Sequence, residues 1–151
     1  NRIKNDQSVT PGFLLAALLW PTLISRCTKN NEINIKKFFR SMDGVLREQQ
    51  KLTAVPRKFN SYIKDIWVLQ LKLHSRIKSQ PYKTIRHPRF RAAYDFLLVR
   101  EQASSDKNGL GKWWTDFQKN DDSLRGSLIA RMNEKSDVDS SKIFGFYNEL
   151  R

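Results

Sequence analysis

The sequence predicts an all-α protein, an irregular bundle of about five to seven helices. Apolar residues recur at spacings of three and four through most of the chain, and no alternating run argues for a sheet. The 151 residues are 39% hydrophobic, and they include only six Gly and five Pro. A chain of this size and composition can bury one core and has few helix breakers.

The first predicted helix begins with Thr10 as its N-cap and Pro11 at its first position. Apolar residues then fall on every side of the helix as far as Trp20, which predicts burial in the middle of the bundle. Pro21 lacks a backbone donor, so we expect a kink or a restart there before the helix reaches Cys27.

A turn over residues 30–32 separates this helix from the second. Asn34 is a plausible cap, and apolar residues at helical spacing predict an amphipathic helix from there to about Gln50. Its opposite side carries a second, weaker band of Lys and Arg. Val55 and Pro56 end the pattern, because a residue before proline is pushed out of the helical region.

The central stretch reads as two amphipathic helices joined by a basic connector. The first covers residues 61–73, and the connector, residues 74–84, carries a short turn of helix around Pro81. The second opens at His87-Pro88, with proline in its preferred position. After a polar loop, an i, i+3, i+4, i+7 set predicts a short docking helix: Leu110, Trp113, Trp114 and Phe117.

Residues 119–151 change character, because acidic and basic residues balance there. Two short helices are predicted, residues 124–132 after a Ser123 cap and residues 143–150, with a flexible linker between them. We therefore divide the chain into a helical body, residues 1–118, and a divergent C-terminal tail, residues 119–151.

Several classes of function find no support in the sequence. Cys27 is the single cysteine, which rules out an intrachain disulfide and a cysteine-built metal site; we interpret it as an inert packed thiol. The longest apolar run is shorter than the ~20 residues that span a bilayer, and no secretory signal is visible, which favours a cytoplasmic protein without a membrane partner.

Neither a P-loop nor a nucleophile motif occurs. The lone D-x-D, Asp137-Val138-Asp139, is interpreted as a solvated turn. We assign no catalytic residue, metal ligand or cofactor to this chain.

Positive charge is concentrated in the middle of the chain. The formal net charge is +13, and residues 56–100 hold eleven Lys and Arg against Asp65 and Asp95. A positive face on a folded helical scaffold is typical of a nucleic-acid binder. The solvated face of a basic protein has the same composition, so charge alone gives the two interpretations equal weight.

Three sequence segments favour the first interpretation. DIWVLQLKL at residues 65–73, HPRFRAAYDFLLVR at 87–100 and KWWTDFQ at 112–118 resemble the C-terminal part of bacterial poly(A) polymerases. This family belongs to the class II nucleotidyltransferases, which also include the CCA-adding tRNA enzymes. The resemblance covers about Phe13 to Gln118.

The resemblance implies a parent transferase that adds AMP from ATP to RNA 3′ ends with Mg²⁺, in RNA polyadenylation and mRNA processing. Nucleotidyl transfer of this group needs a Gly-Ser pair and two carboxylates spaced one residue apart, and the family keeps them in a head domain ahead of the matched region. ATP and Mg²⁺ would bind that head. We expect this chain alone to be inactive and to be the RNA-binding part of a monomeric enzyme.

A growing RNA end of changing sequence favours phosphate contacts over base readout. Tyr82 is placed to stack on a base, whereas Arg91 could simply pair with Asp95 four residues later. The predicted partners are RNA 3′ ends of mRNA, of other single-stranded RNA or of tRNA. The candidate RNA-binding residues are Arg57, Lys58, Arg76, Lys78, Tyr82, Lys83, Arg86, His87, Arg89 and Arg91.

The sequence departs from the family in three places. A dense basic run of the family is replaced by Ser75-Arg76-Ile77-Lys78-Ser79-Gln80, Arg86 stands where the family is usually acidic, and the Arg-rich tail is missing. We expect RNA affinity to be weaker or differently placed. Two alternatives stay open: part of a CCA-adding enzyme, or a stand-alone basic helical module that binds RNA without chemistry.

Overall fold

The computed structural model describes residues 11–53, 57–104 and 109–139, the last five of these by backbone alone. Within these ranges the chain forms seven helices and one two-stranded sheet, which confirms the predicted all-α class and the number of helices. In chain order they are α1 (Pro11–Cys27), β1 (Thr28–Lys29), β2 (Glu32–Ile33), α2 (Ile35–Leu52), α3 (Lys58–Lys72), α4 (Gln80–Ile85), α5 (Phe90–Ala103), α6 (Leu110–Phe117) and α7 (Asp122–Asp139). No helix of the described ranges is long and apolar enough to cross a bilayer.

The chain divides into two compact units, Asn1–Trp67 and Val68–Arg151. Helix α3 begins in the first unit and ends in the second. This division differs from the predicted one after residue 118, and the predicted body and tail regions stay a prediction.

The first unit is built around the packing of α1 against α2. Asn34 caps α2 as expected, because its side-chain oxygen accepts a hydrogen bond of 2.9 Å from the Lys37 amide. The α3 indole of Trp67 donates to the Ala16 carbonyl of α1 at 3.1 Å. The buried α2 residues follow the predicted helical spacing: Ile35, Phe38, Met42, Val45 and Leu46.

Helix α1 runs through Pro21 to Cys27 as one helix, so of the two expected effects of Pro21 the restart does not occur and the kink stays a prediction. The helix differs from the prediction in its burial: it is not buried on every side, since Leu14 is 51% and Leu18 71% exposed. When a helix is apolar on all sides, its sequence does not show which side packs against the neighbouring helices. In α1 the buried residues are Gly12, Phe13, Ala16, Leu23 and Cys27.

The predicted turn after α1 is the turn of a small antiparallel hairpin, in which Thr28 pairs with Ile33. Asn30 and Asn31 have φ of 55° and 64°. Asn tolerates this left-handed region better than most residues, and two such residues in succession match the twist of a tight hairpin.

The second unit has an aromatic core. Trp114 donates its indole N–H to the Leu73 carbonyl at 2.8 Å, and Trp113 stacks on Phe117 with centroids 5.1 Å apart. The docking set predicted for α6 is therefore buried as expected. The core residues are Leu73, which directly follows α3, and residues of α5, α6 and α7: Phe90, Tyr94, Leu97, Leu110, Trp113, Trp114, Phe117, Leu128 and Ile129.

Three boundaries in this unit correct the sequence analysis. Helix α5 begins at Phe90, two residues after Pro88, because residues 87–89 form a turn. Helix α7 begins at Asp122, and Asp121 rather than Ser123 accepts the capping hydrogen bond, 3.1 Å from the Leu124 amide.

Helix α7 also runs on to Asp139, through most of the predicted flexible linker and the predicted turn at residues 137–139. The linker is polar but holds neither Pro nor Gly, so nothing in it stops a helix. The predictions for Thr10, Val55-Pro56 and the helix at residues 143–150 lie outside the described residues.

Candidate nucleic-acid interface

The candidate site lies in residues 72–100, which we call the basic segment. It runs from the end of α3 through the connector, α4 and the turn before α5, and all of it belongs to the second unit. It contains eight Lys and Arg and one Asp. The segment therefore carries a strong local excess of positive charge.

Four cations of the basic segment are exposed: Lys78, Lys83, Arg86 and Arg91. Arg91 has a carboxylate partner, described below, and the other three are considered first. Helix α4 directs Lys83 outward by burying Gln80, Pro81 and Thr84 instead. Lys78 adopts φ of 55°, and its backbone amide donates to Asn133 of α7 at 3.4 Å. Within the described ranges, none of the three side chains makes a hydrogen bond or an ion pair. Their charges are available to a ligand.

Arg76 is held differently, because its side chain is half-buried. Its guanidinium carbon lies 5.6 Å from the centroid of the Trp113 ring, within the range of a cation–π contact. Burial lowers its pKa from the usual arginine value. The Nε atom is buried and has no hydrogen-bond partner in the described part of the chain.

Two more basic residues of the segment, Arg100 and His74, are half-buried, and burial shifts their pKa values. Arg100 donates to the buried side-chain oxygen of Gln70 at 2.7 Å, and burial lowers its pKa to about 10. Burial, together with the charges of Arg100 and Arg76, lowers the pKa of His74 to about 4. His74 is therefore neutral near pH 7, and arginine and lysine carry the charge of the segment.

Several predicted residues already have partners within the protein. Arg91 lies 3.7 Å from Asp95 and donates to Gln118 at 3.2 Å, so the helix-surface pairing considered for it exists. Tyr82 is half-buried and packs edge-on against Phe117, with centroids 5.3 Å apart. These contacts occupy part of both side chains, and their role towards RNA stays a prediction.

His87 acts as a local turn residue. Its Nδ1 accepts a hydrogen bond of 3.0 Å from the backbone amide of Arg89, which fixes the chain immediately before α5. Both side chains are half-buried. An RNA contact from His87 or Arg89 likewise stays a prediction.

Arg57 and Lys58 belong to the first unit, unlike the other eight predicted residues. Both are exposed, and the Lys58 ammonium lies 5.6 Å from the centroid of the neighbouring Phe59 ring. The structure therefore brings the candidates from Arg76 to Arg91 into one unit and leaves these two outside it.

Three buried polar groups of the second unit were not predicted from the sequence. Gln70 is 1% exposed and holds Arg100, and its position inside the apolar run DIWVLQLKL was an available signal. The hydroxyl of Ser75 and the indole N–H of Trp113 are buried without a partner among the described atoms. Neither has a sequence signal, because helical spacing assigns Trp113 to the core and says nothing of its nitrogen.

Nothing in the described residues suggests a metal centre, since no group of three or more His, Cys, Asp and Glu side chains comes together there. The arrangement offers cations and hydrogen-bond donors. Such groups bind anions by charge and by donation.

The chain is similar to known proteins over most of its length. A family model described as the arginine-rich C-terminus of polymerase A matches residues 30–142. The match extends past the point, Gln118, where the resemblance read from the sequence fades.

Curated relatives agree with this match. The chain is 35% identical over 124 residues to poly(A) polymerase I of Salmonella typhi, covering 78% of this chain and 27% of the relative. It is 33% identical over 140 residues to poly(A) polymerase I of Escherichia coli O6:H1, covering 89% and 30%. With the Haemophilus influenzae poly(A) polymerase I the identity is 32% over 133 residues, covering 85% and 29%. The chain thus spans less than a third of the length of these relatives.

Proposed function

Because the chain belongs to the family of arginine-rich C-termini of poly(A) polymerases, we propose that it binds RNA for an enzyme that extends RNA 3′ ends. The observation that supports this most is the group of exposed cations Lys78, Lys83 and Arg86, none of which is neutralised by a carboxylate of the described chain. Unpaired cations on a folded surface repel one another unless an anion binds there.

The chemistry of these side chains suits a ligand of variable sequence. Lysine and arginine bind phosphate by charge, and arginine also by two-point hydrogen bonding, so neither reads a base from this position. We propose contacts to the phosphates of single-stranded RNA. Affinity should then depend little on sequence and fall steeply as salt rises, because bound phosphates release counterions.

The rest of the proposal concerns the parent enzyme. It would transfer AMP from ATP to RNA 3′ ends, in RNA polyadenylation and mRNA processing, with ATP and Mg²⁺ bound by parts of the enzyme outside this chain. We propose that it acts as a monomer in the cytoplasm. The CCA-adding and stand-alone alternatives are not favoured, since the relatives described above are poly(A) polymerases.

The test is RNA binding by two charge-matched triple variants. The first variant carries Gln in place of Lys78, Lys83 and Arg86. The control variant carries Gln in place of three exposed cations of α2, namely Lys36, Lys37 and Arg40. Affinity for a labelled single-stranded RNA of mixed sequence is measured by fluorescence anisotropy over a range of salt concentrations.

We expect the first variant to lose on the order of tenfold in affinity and to show a shallower salt dependence. The control should stay near the unsubstituted protein. Equal losses in the two variants would mean that net charge alone attracts RNA, and an unchanged first variant would remove the basic segment as the site.

A further inference from the structure

Three buried hydrogen-bond donors in the second unit have no acceptor among the described atoms: the hydroxyl of Ser75, the Nε of Arg76 and the indole Nε1 of Trp113. We call them the donor cluster. The residues Ser75 and Trp113 are only 3% and 7% exposed. Within the described ranges one other buried side-chain atom lacks a partner, the Thr28 hydroxyl, which lies in the first unit.

The members of the donor cluster are neighbours. Ser75 and Arg76 are consecutive, and the Arg76 guanidinium lies 5.6 Å from the Trp113 ring. The indole is itself fixed, because it stacks on Phe117 at 5.1 Å and meets Trp114 edge-on at 4.9 Å. The three unsatisfied donors thus belong to residues that are consecutive or in contact, and the contact between Arg76 and Trp113 joins the connector to α6.

This clustering is unusual for a protein interior. Burying a polar group without a partner costs free energy, and most such groups in native proteins are satisfied. Arginine and tryptophan side chains can only donate hydrogen bonds, and a serine hydroxyl can donate as well. The group that would satisfy all three must therefore be rich in acceptors.

The electrostatic surroundings indicate the charge of that group. Arg76 belongs to the donor cluster, and Arg100 acts on the same region, since both arginines disfavour protonation of His74. No carboxylate of the described residues pairs with Arg76. A cation would be repelled here, whereas an anion that carries several acceptor oxygens would gain both charge and hydrogen bonds.

We propose that Ser75, Arg76 and Trp113 form a phosphate-binding site. This inference rests on the proposed RNA-binding function. The bound phosphate is then one phosphate of an RNA strand, and the next phosphates of that strand contact Lys78, Lys83 and Arg86. A free nucleotide presents the same chemistry, so the experiment separates these two sources.

The indole N–H of Trp113 provides a direct reading of the site. Spectra of the ¹⁵N-labelled full chain are recorded while inorganic phosphate, AMP or a short single-stranded RNA is added, with chloride added at equal ionic strength as the reference. The resonance is assigned by its loss in Trp113→Phe. We expect a saturable shift of this resonance with phosphate and with RNA but not with chloride.

Two substitutions remove single donors from the site. Ser75→Ala and Trp113→Phe should each weaken phosphate binding about tenfold, the usual order for a hydrogen bond to a charged group. Ser75→Ala should not lower the thermal midpoint of the ligand-free chain, because it deletes a buried hydroxyl that has no partner. Trp113→Phe should lower it, because the smaller ring leaves a cavity in the aromatic core, so its phosphate affinity is measured at a temperature where the variant is folded. The matched control, Trp20→Phe in the first unit, should leave phosphate binding unchanged.

The outcomes separate the site from the function. Without a saturable shift by phosphate, or with the same affinity in Ser75→Ala, the site is overturned and the donors bind only buried water. A shift with phosphate and AMP but none with RNA supports the site and assigns it to a free nucleotide. If RNA still binds fully to Ser75→Ala and Trp113→Phe, the proposed function stands and the strand assignment falls. If phosphate binds but RNA does not bind the unsubstituted chain, the site stands and the proposed function falls.

Discussion

The side-chain oxygen of Gln70 accepts a 2.7 Å hydrogen bond from the half-buried guanidinium of Arg100. The amide nitrogen of the same Gln70 donates to the Ala93 carbonyl of α5 at 3.1 Å. A single buried side chain thus orients a cation of the basic segment and ties α3 to the backbone of α5. A polar residue in the middle of an apolar helix face is explained by these two contacts.

Gln70→Met keeps the size of this side chain and removes both hydrogen bonds. We expect the free energy of unfolding to fall by about 2 kcal/mol, because a buried charge loses an acceptor and a carbonyl loses a donor. Urea unfolding measures the change. The control is Gln102→Met on the exposed side of α5, and a similar loss there would show that methionine itself, rather than the broken contacts, is responsible.

His74 should make the stability of the chain depend on acidity. Its pKa is about 4 in the folded chain against an ordinary value of 6.5, mainly because of burial and then because of Arg100 and Arg76. The unfolded chain therefore binds the proton more readily. The contribution is complete above pH 6.5 and is lost as the pH falls towards 4. Over this window the free energy of unfolding should fall by up to about 3 kcal/mol.

His74→Asn should remove this component of the pH dependence, measured by urea unfolding at a series of pH values in the same window. The difference between the two proteins isolates His74 from the carboxylates that titrate at the acid end. His87→Asn, at the other histidine of the chain, should keep the slope. An identical slope in His74→Asn and the unsubstituted chain would refute the prediction.

Two helical glycines should respond in opposite directions to alanine. Gly111 of α6 donates its amide to Glu101 at 3.0 Å, and an added Cβ would lie 2.9 Å from the Leu98 Cδ2. Gly126 of α7 has open space around it. Gly111→Ala should lower the free energy of unfolding by about 1 kcal/mol, because Glu101 must move away. Gly126→Ala should raise it by about 0.5 to 1 kcal/mol through helix propensity. Thermal and urea unfolding measure both changes. If the two substitutions changed the free energy of unfolding in the same direction, the prediction would be contradicted.

Arg86 and Arg91 form a matched pair for RNA binding. Both are exposed, but only Arg91 has an internal carboxylate, Asp95, at 3.7 Å. Arg86→Gln should weaken RNA binding about threefold, whereas Arg91→Gln should change it less than about twofold, because Asp95 already offsets its charge. Fluorescence anisotropy at low salt measures both. A larger loss from Arg91→Gln would move the site towards α5.

The sequence predicted those parts of the fold that depend on local pattern. The spacing of apolar residues identified α2 and α6, and Asn34 was recognised as a cap because its role depends on residues three positions away. The exposure of Leu14 and Leu18 could not be predicted, because it depends on which neighbours cover α1. The full length of α7 does not follow from the sequence, because a polar composition without Pro or Gly is typical both of a flexible linker and of an exposed helix.

The candidate site, like the fold, could be predicted from the sequence only in part. Exposed cations such as Lys83 and Arg86 were found from charge alone, since a charged side chain is exposed unless it is paired. The burial of Arg76 against Trp113 joins residues far apart in sequence. No spacing rule within one element could have placed the Trp113 ring beside Arg76 of the connector.

Because the pKa of His74 is lowered to about 4, the charge of the basic segment around this residue does not change when the solution becomes moderately acidic. A histidine of ordinary pKa would become positively charged as the pH fell, and its charge would raise the affinity of the segment for a polyanion. Here the same imidazole stays uncharged down to a pH of about 4, and the guanidinium groups beside it stay charged throughout. We therefore expect the affinity of the proposed RNA contact to depend on salt concentration and to change little with moderate acidification.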